Sequence, residues 1–204
     1  MGSIKSAMDF YGASGHGKVV VEAWLASGGT VNDIFDDNDE IKEMLGLRVK
    51  SKFNANEFGR NQLLISIGNN HIRKKIADRI RLEFGTVIHP SAIISKSASI
   101  GKGSAVLAGA VINSSSLIGA HAIVNSSAVV EHDCKIGDFA HISPNATLCG
   151  GVSVGEGTHV GAGATVVPGI SIGKWVIIGA GSVVTKDIPD CVVVAGVPAK
   201  TIRK

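Results

Sequence analysis

The sequence predicts an α/β N-terminal Rossmann-like half-domain over residues 1–86, followed by an all-β parallel β-helix over residues 87–204. Three observations carry this expectation. An aliphatic residue returns at every sixth position from Ile88 to Val184, seventeen times without a slip. Gly101, Gly119, Gly137, Gly155 and Gly173 recur eighteen apart, so three hexapeptides make one larger unit. Ahead of the repeat, a glycine-rich stretch from Gly12 to Gly17 leads into an apolar helical run. A fixed short period of this kind marks stacked coils.

Each hexapeptide reads as a short strand plus a bend, and three close one triangular coil. Successive coils hydrogen-bond at the ordinary strand spacing of ~4.8 Å. Aliphatic residues stack inside the prism. Small residues four positions later, such as Ala92, Ala110, Ala128, Cys134 and Ala146, fill the corners. Aromatics would not fit, and seven of the nine precede residue 85; Phe139 and Trp175 are the exceptions. Trp175 is expected on an exposed or interface face, not against a ligand. A purely structural or ice-binding solenoid would repeat one flat outward face. The outward positions here are irregular and include His, Asp and Asn.

Composition narrows the function. The chain has 204 residues, 45% of them hydrophobic, and contains no run of eighteen apolar residues and no visible signal peptide. The expectation is a cytoplasmic protein without stable membrane insertion. A net charge of +3 is too small to argue for nucleic acid. Cys134, Cys149 and Cys191 show no CxxC spacing, so neither a disulfide framework nor a metal site is expected. The opening Met-Gly-Ser-Ile-Lys-Ser formally fits an N-myristoylation pattern, a match short enough to arise by accident.

In the N-terminal half, Gly12-Ala13-Ser14-Gly15-His16-Gly17 reads as a turn between a strand and a helix. Such a turn lets backbone N–H groups approach a phosphate at the helix's positive end. Its spacing is GxxGxG, not the dinucleotide GxGxxG, and Ser6 to Asp9 is unusually polar for a buried first strand. A second strand, Val31 to Phe35, ends in Asp36-Asp37; a third, Leu63 to Ile67, ends in Gly68-Asn69-Asn70. The helix expected from Ile72 to Phe84 carries Arg73, Lys74, Lys75, Arg79 and Arg81, read as one solvated face in preference to a phosphate clamp. The three strand ends would line one crevice.

The hexapeptide pattern resembles the left-handed β-helix acyltransferases, which use acyl-CoA and assemble as trimers. Within that class YGASGHGKV, the FDD ending, ISIGNNHIRKKI and VVEHDCKIGDFAHIS look like the bacterial nucleotide-sugar N-acetyltransferases, in the family's order. The resemblance implies the left hand, a homotrimer, acetyl-CoA as co-substrate and the 4-amino group of a UDP-linked aminosugar as acceptor. It assigns Ser14, Gly15 and His16 to the diphosphate and Asp36 and Asp37 to the nucleoside. His141, Ala162 and Ala180 would contact acetyl-CoA, with Gly161 and Gly179 beside the two alanines, and Asn125 matches a further active-site position. The segment Val194 to Lys200 looks like the part near the CoA adenine; alone, it is a Pro-terminated cap.

Chemistry is expected at Glu131-His132-Asp133, a polar run on an aliphatic solenoid. Forming an amide from a thioester requires a proton acceptor for the amine and a donor for the thioester oxygen. An imidazole, whose ordinary pKa of about 6.5 lies near working pH, suits His132 as general base. The family places the orienting carboxylate after the histidine, which selects Asp133 over Glu131, although many relatives carry the longer Glu. One coil above residue 132 is Gly150, whose unobstructed N–H would meet the oxyanion. His141 is half a coil from His132, so the two point from opposite sides and would meet only across a subunit interface. Two other readings stay open. One is O-acetylation, as in the similar sialic-acid acetyltransferases. The other is a zinc hydrase resembling γ-class carbonic anhydrases, although no two histidines here show the five-residue spacing that site needs.

Overall fold

The computed structural model describes residues 7–51, 53 and 62–203; the N-terminal Met-Gly-Ser-Ile-Lys-Ser stretch lies outside them. The first half is a five-stranded sheet in the order β3-β4-β2-β1-β5. Its strands are β1 (Ala7–Tyr11), β2 (Thr30–Asp36), β3 (Glu43–Met44), β4 (Leu47–Ser51) and β5 (Gln62–Ile65). All pair in parallel except β3, which forms a hairpin with β4. The polar start of β1 has a physical reason. Asp9 is buried, but its carboxylate accepts hydrogen bonds from the Asn32 side chain and the Asp33 N–H.

Helix α1 (Gly15–Ala26) follows β1, and α2 (Asn70–Arg79) follows β5. The second helix starts earlier and stops sooner than the Ile72-to-Phe84 expectation. Asn69 caps it by accepting from the Ile72 N–H at 3.0 Å. Ile80 is already extended, and Phe84 returns to bridge Leu63. The core of this half does not end at residue 86: Met8, Phe10, Val20, Trp24 and Leu64 pack in one cluster with Val87, Ala105 and Leu107 of the first coils.

The solenoid runs through seventeen two-residue strands, from β6 (Val87–Ile88) to β22 (Val183–Val184). They stack on three parallel faces at an eighteen-residue stride, as in Val111↔Val129↔Thr147↔Thr165↔Val183. Ile112, Val130, Leu148, Val166 and Val184 are fully buried inside. The glycine period reflects close approach of coils: a Cβ on Gly137 would fall 2.6 Å from the Glu156 nitrogen above it. Every sixth residue from 103 to 181 turns a corner with positive φ, and seven of these are not glycine, Asp133, Phe139 and Trp175 among them. The two aromatics therefore sit outside the prism. Phe139 stacks on His121, and Trp175, expected on an open face, is half-buried with its ring 4.2 Å from that of His71.

The last coil is two residues short, pairing Ile177 with Val193. The Asp187 and Asp190 carboxylates fill the gap by accepting from the Ser171 and Lys174 N–H groups. Strand β23 (Val193–Ala195) then pairs with an antiparallel β24 (Lys200–Arg203), which closes that face. No described helix is long and apolar enough to cross a membrane.

Candidate active site

The glycine turn is built for close packing at two positions and left open at a third. A Cβ on Gly12 would fall 2.5 Å from the Ile67 side chain, and one on Gly17 would fall 2.3 Å from the Gly12 carbonyl oxygen; Gly15 has nothing within 4 Å. Ser14 caps α1 by backbone alone, leaving its hydroxyl uncommitted, and no acidic residue occupies the first turn. This is a helix end suited to an anion. The paired aspartates, expected to act alike, divide their work. Asp36 pins the turn by accepting from the Ala13 N–H at 2.7 Å and the Asn38 N–H at 2.9 Å. Asp37 is exposed; it receives the Tyr11 hydroxyl and pairs with Arg79 at 3.2 Å.

Helix α2 corrects the solvated-face expectation at one residue. Arg73 is 1% exposed. Its guanidinium donates to the carbonyls of Ile67, Gly68, His121 and Phe139 and to the Asn70 side chain. Asn70 in turn donates to the Gly157 carbonyl at 3.0 Å. The strand end Gly68-Asn69-Asn70 is thereby fastened to corners of three successive coils. Lys74 meets the earlier expectation better, with exposed pairs to Asp78 and Glu156 worth little individually.

Under this fastening lies a histidine cluster. His141 is buried, with the His16 ring 5.9 Å away and the His159 ring 4.8 Å away. Its hydrogen bonds fix its tautomer. Asn125 Oδ1 accepts from the Ser126 N–H, so the Asn125 amide donates to His141 Nε2 at 3.0 Å. His141 Nδ1 must then carry the proton and donate to the Gly68 carbonyl at 3.3 Å. Beside the cluster is a cleft of about 350 Å³ lined by Gly68, Asn69, His71, His159, Trp175 and Ile177. Sequence reasoning missed His159, Arg73 and the His71–Trp175 wall. His159 was findable, because it lies one coil from His141.

Burial, reinforced by positive neighbours that include Arg73, holds His16 and His121 down to about 4 and His141 to about 3. His159 is lowered for the same reasons. In the unfolded chain these rings titrate near 6.5, so between about 6.5 and 4 the unfolded state binds more protons. Stability is therefore full above the unfolded value and is lost as pH falls through that window. Urea melts should show a midpoint that drops from pH 6.5 to 4 as the unfolding free energy falls by up to ~1.4 kcal/mol per pH unit for each histidine. A flat midpoint across that range would contradict the buried, neutral cluster.

His132 occupies a different face. It follows β13 (Val129–Val130), whereas His141 begins β15 (His141–Ile142) on the face that carries the N-terminal half. No contact joins them within the described chain. His132 Nδ1 lies 2.8 Å from Asp133 Oδ2, both side chains being more than half exposed. An ionised carboxylate only accepts, so Nδ1 carries the proton and Nε2 is the free nitrogen. Gly150 lies directly over the ring: a Cβ there would fall 2.5 Å from Cε1 and 2.6 Å from Nε2. The Gly150 N–H has no backbone partner among the described residues, while Gly151 and the Gly150 carbonyl are tied to neighbouring coils. The N–H groups of Ala162 and Ala180 are likewise unpaired, with open space over Gly163 and Gly181. Gly161 and Gly179 differ, because their N–H groups belong to the ladder. Chemically, the chain offers an oriented imidazole base, a bare backbone donor above it, an anion-suited helix end and a line of free amides along the solenoid.

Residues 10–80 match the PglD N-terminal domain, and residues 115–150 and 151–186 match the six-repeat bacterial transferase hexapeptide. A mutant form of perosamine N-acetyltransferase from Caulobacter crescentus, in complex with CoA and GDP-perosamine, is 42% identical. The match covers 97% of each chain at a TM-score of 0.93. The acetyltransferase domain of PglB from Neisseria gonorrhoeae, in complex with acetyl coenzyme A, is 38% identical over 96% of this chain and 98% of that one, with a TM-score of 0.90. The UDP-N-acetylbacillosamine N-acetyltransferase of Bacillus subtilis is 48% identical over 106 residues, 48% of this chain and 49% of that protein, so the match spans about half the curated relative's length. The chain belongs to the hexapeptide-repeat family of nucleotide-sugar N-acetyltransferases.

Proposed function

We propose that this chain transfers the acetyl group of acetyl-CoA to the 4-amino group of a nucleotide-linked aminosugar. The observation that carries the reading is the exposed His132–Asp133 pair beneath the bare N–H of Gly150. As the amine nitrogen attacks the thioester carbon, His132 Nε2 takes its proton and Asp133 steadies the imidazolium. The thioester oxygen gains negative charge and is met by the Gly150 N–H. Collapse of the tetrahedral intermediate breaks the carbon–sulfur bond, and CoA leaves as the thiol with the proton that His132 held. The unpaired Ala162 and Ala180 amides suit a pantetheine arm, with Gly161 and Gly179 keeping the neighbouring coils close.

Residues 1–86 would hold the nucleotide, and residues 87–204 would hold acetyl-CoA and carry out the chemistry. Ser14, Gly15 and His16 at the start of α1 suit the diphosphate. Asp37, exposed and held by Tyr11 and Arg79, would face the nucleoside, while Asp36 acts by pinning the turn. Asp37→Ala should therefore raise KM for the nucleotide sugar about tenfold and leave KM for acetyl-CoA nearly unchanged. Steady-state kinetics with each substrate varied in turn checks this, and equal loss for both would count against the division. The family resemblance implies UDP, whereas the Caulobacter relative is in complex with GDP-perosamine, so both nucleotides enter the test.

The same geometry supports a homotrimer. The solenoid face beside His132 presents Ile93, 67% exposed, with the partly exposed Val111, Val129, Thr147, Thr165 and Val183 in register above it. A second chain on that face would bring one subunit's His132 toward another's His141, and Asn125 would act by orienting that second histidine. A cytoplasmic location suits the acetyl-CoA supply. O-acetylation on the same solenoid is the competing reading. Treating the product with mild base decides it: an amide survives, and loss of the acetyl group would identify an ester.

A further inference from the structure

We propose that Arg73 is a positioning residue for acetyl transfer: it fixes the Gly68 carbonyl that receives His141 Nδ1–H, and so holds His141 as the Nδ1–H tautomer. The inference rests on the reading that His141 belongs to the reaction site. Its ground is one shared acceptor. The Gly68 oxygen takes Arg73 Nη1 at 3.2 Å and His141 Nδ1 at 3.3 Å. The neighbouring Ile67 carbonyl takes the same Arg73 nitrogen at 2.9 Å, so two successive carbonyls of the strand end turn toward the guanidinium. On the other side, Asn125 donates to His141 Nε2. The result is a directed chain from Arg73 through Gly68 and His141 to Asn125, with every polar position specified.

A purely mechanical strut would need the donors of this residue but not its charge. Arg73 is buried, and its five hydrogen-bond acceptors are four carbonyls and one side-chain amide, none a carboxylate. Burying a cation without an anionic partner is costly, and burial holds even this guanidinium down to about 9. A neutral donor could join helix to solenoid through the same carbonyls without the cost of a buried charge. The charge has a second effect, however. Around His141 the titratable groups are His16 on α1, Arg73 on α2 and His159 on the next coil; all are basic, and each opposes its protonation. A protonated His141 would also turn an N–H against the Asn125 amide. The donor fork and the charge thus enforce the same state.

Nitrogen-correlated imidazole NMR of the whole protein tests this without any activity. In the wild type, His141 should show the Nδ1–H pattern and stay neutral below pH 5. In Arg73→Gln the midpoint should rise by about one pH unit, a tenfold change in proton affinity. The Nδ1–H preference should weaken, and kcat/KM should fall about tenfold or more. Arg73→Lys, which keeps the charge but not the fork, should retain the low midpoint and recover only part of the rate. A folded Arg73→Gln protein with unchanged tautomer and midpoint would overturn the proposal. Should that variant not fold, the wild-type spectrum decides: an Nε2–H tautomer, or titration near 6.5, overturns it. Loss of acetyl transfer from every substrate with the tautomer as expected would instead fault the functional reading alone.

Discussion

Replacing His132 with alanine is expected to lower kcat by about 10²–10⁴, the usual worth of a general base. KM for both substrates should change little, since proton removal matters in the transition state. The geometry makes the variant clean. His132 is exposed, and among the described residues its side chain bonds to Asp133 alone, so its loss removes no core contact. A structural role predicts the opposite pair of results, a lower melting temperature with turnover intact. Measuring both on one preparation separates them, and a folded variant with near-normal kcat would exclude His132 as the base.

The second large effect concerns subunits. His132→Ala and His141→Ala proteins should each be nearly inactive, yet a co-refolded mixture should recover activity. In a one-to-one mixture about one interface in four joins a native His132 to a native His141, so recovery should approach roughly a quarter of wild type. This follows from the two histidines lying on different faces, one exposed beside a row of Ile, Val and Thr side chains and one buried beneath its own N-terminal half. Mixed trimers that form without recovering activity would put the whole site within a single chain.

The solenoid was legible because its physics repeats: one aliphatic position per hexapeptide recurs seventeen times, and the fourteen from Val106 to Val184 are all buried. The His132–Gly150 stacking followed from the period alone, since eighteen residues make one coil. Non-repeating features were less visible. Phe139 and Trp175 fit because the left-handed corner conformation turns their rings outside the prism, which a composition argument cannot see. Arg73 reads as one more surface charge beside Lys74 and Lys75. Only the docking of α2 across three coils buries it and leaves its neighbours in solvent. The β3–β4 hairpin was hidden for a local reason. Its turn uses Leu45 at φ 56 before Gly46, where an Asn-Gly or Asp-Gly pair would have announced it. Asp36 and Asp37 look equivalent in sequence, and their division depends on which one meets the Ala13 N–H across the sheet.

The most direct test of the central claim is the initial rate of free-thiol release from acetyl-CoA across a panel of acceptors. The panel would hold UDP-, GDP- and dTDP-linked 4-aminosugars, the same sugars without a nucleotide, and their 4-hydroxy counterparts. The account predicts rapid release with at least one nucleotide-linked 4-aminosugar and a product heavier by one acetyl group. Release with that sugar should be far slower once the nucleotide is removed, because the N-terminal crevice then has nothing to hold. Equal rates with and without the nucleotide, or release only with the hydroxyl acceptors, would contradict it.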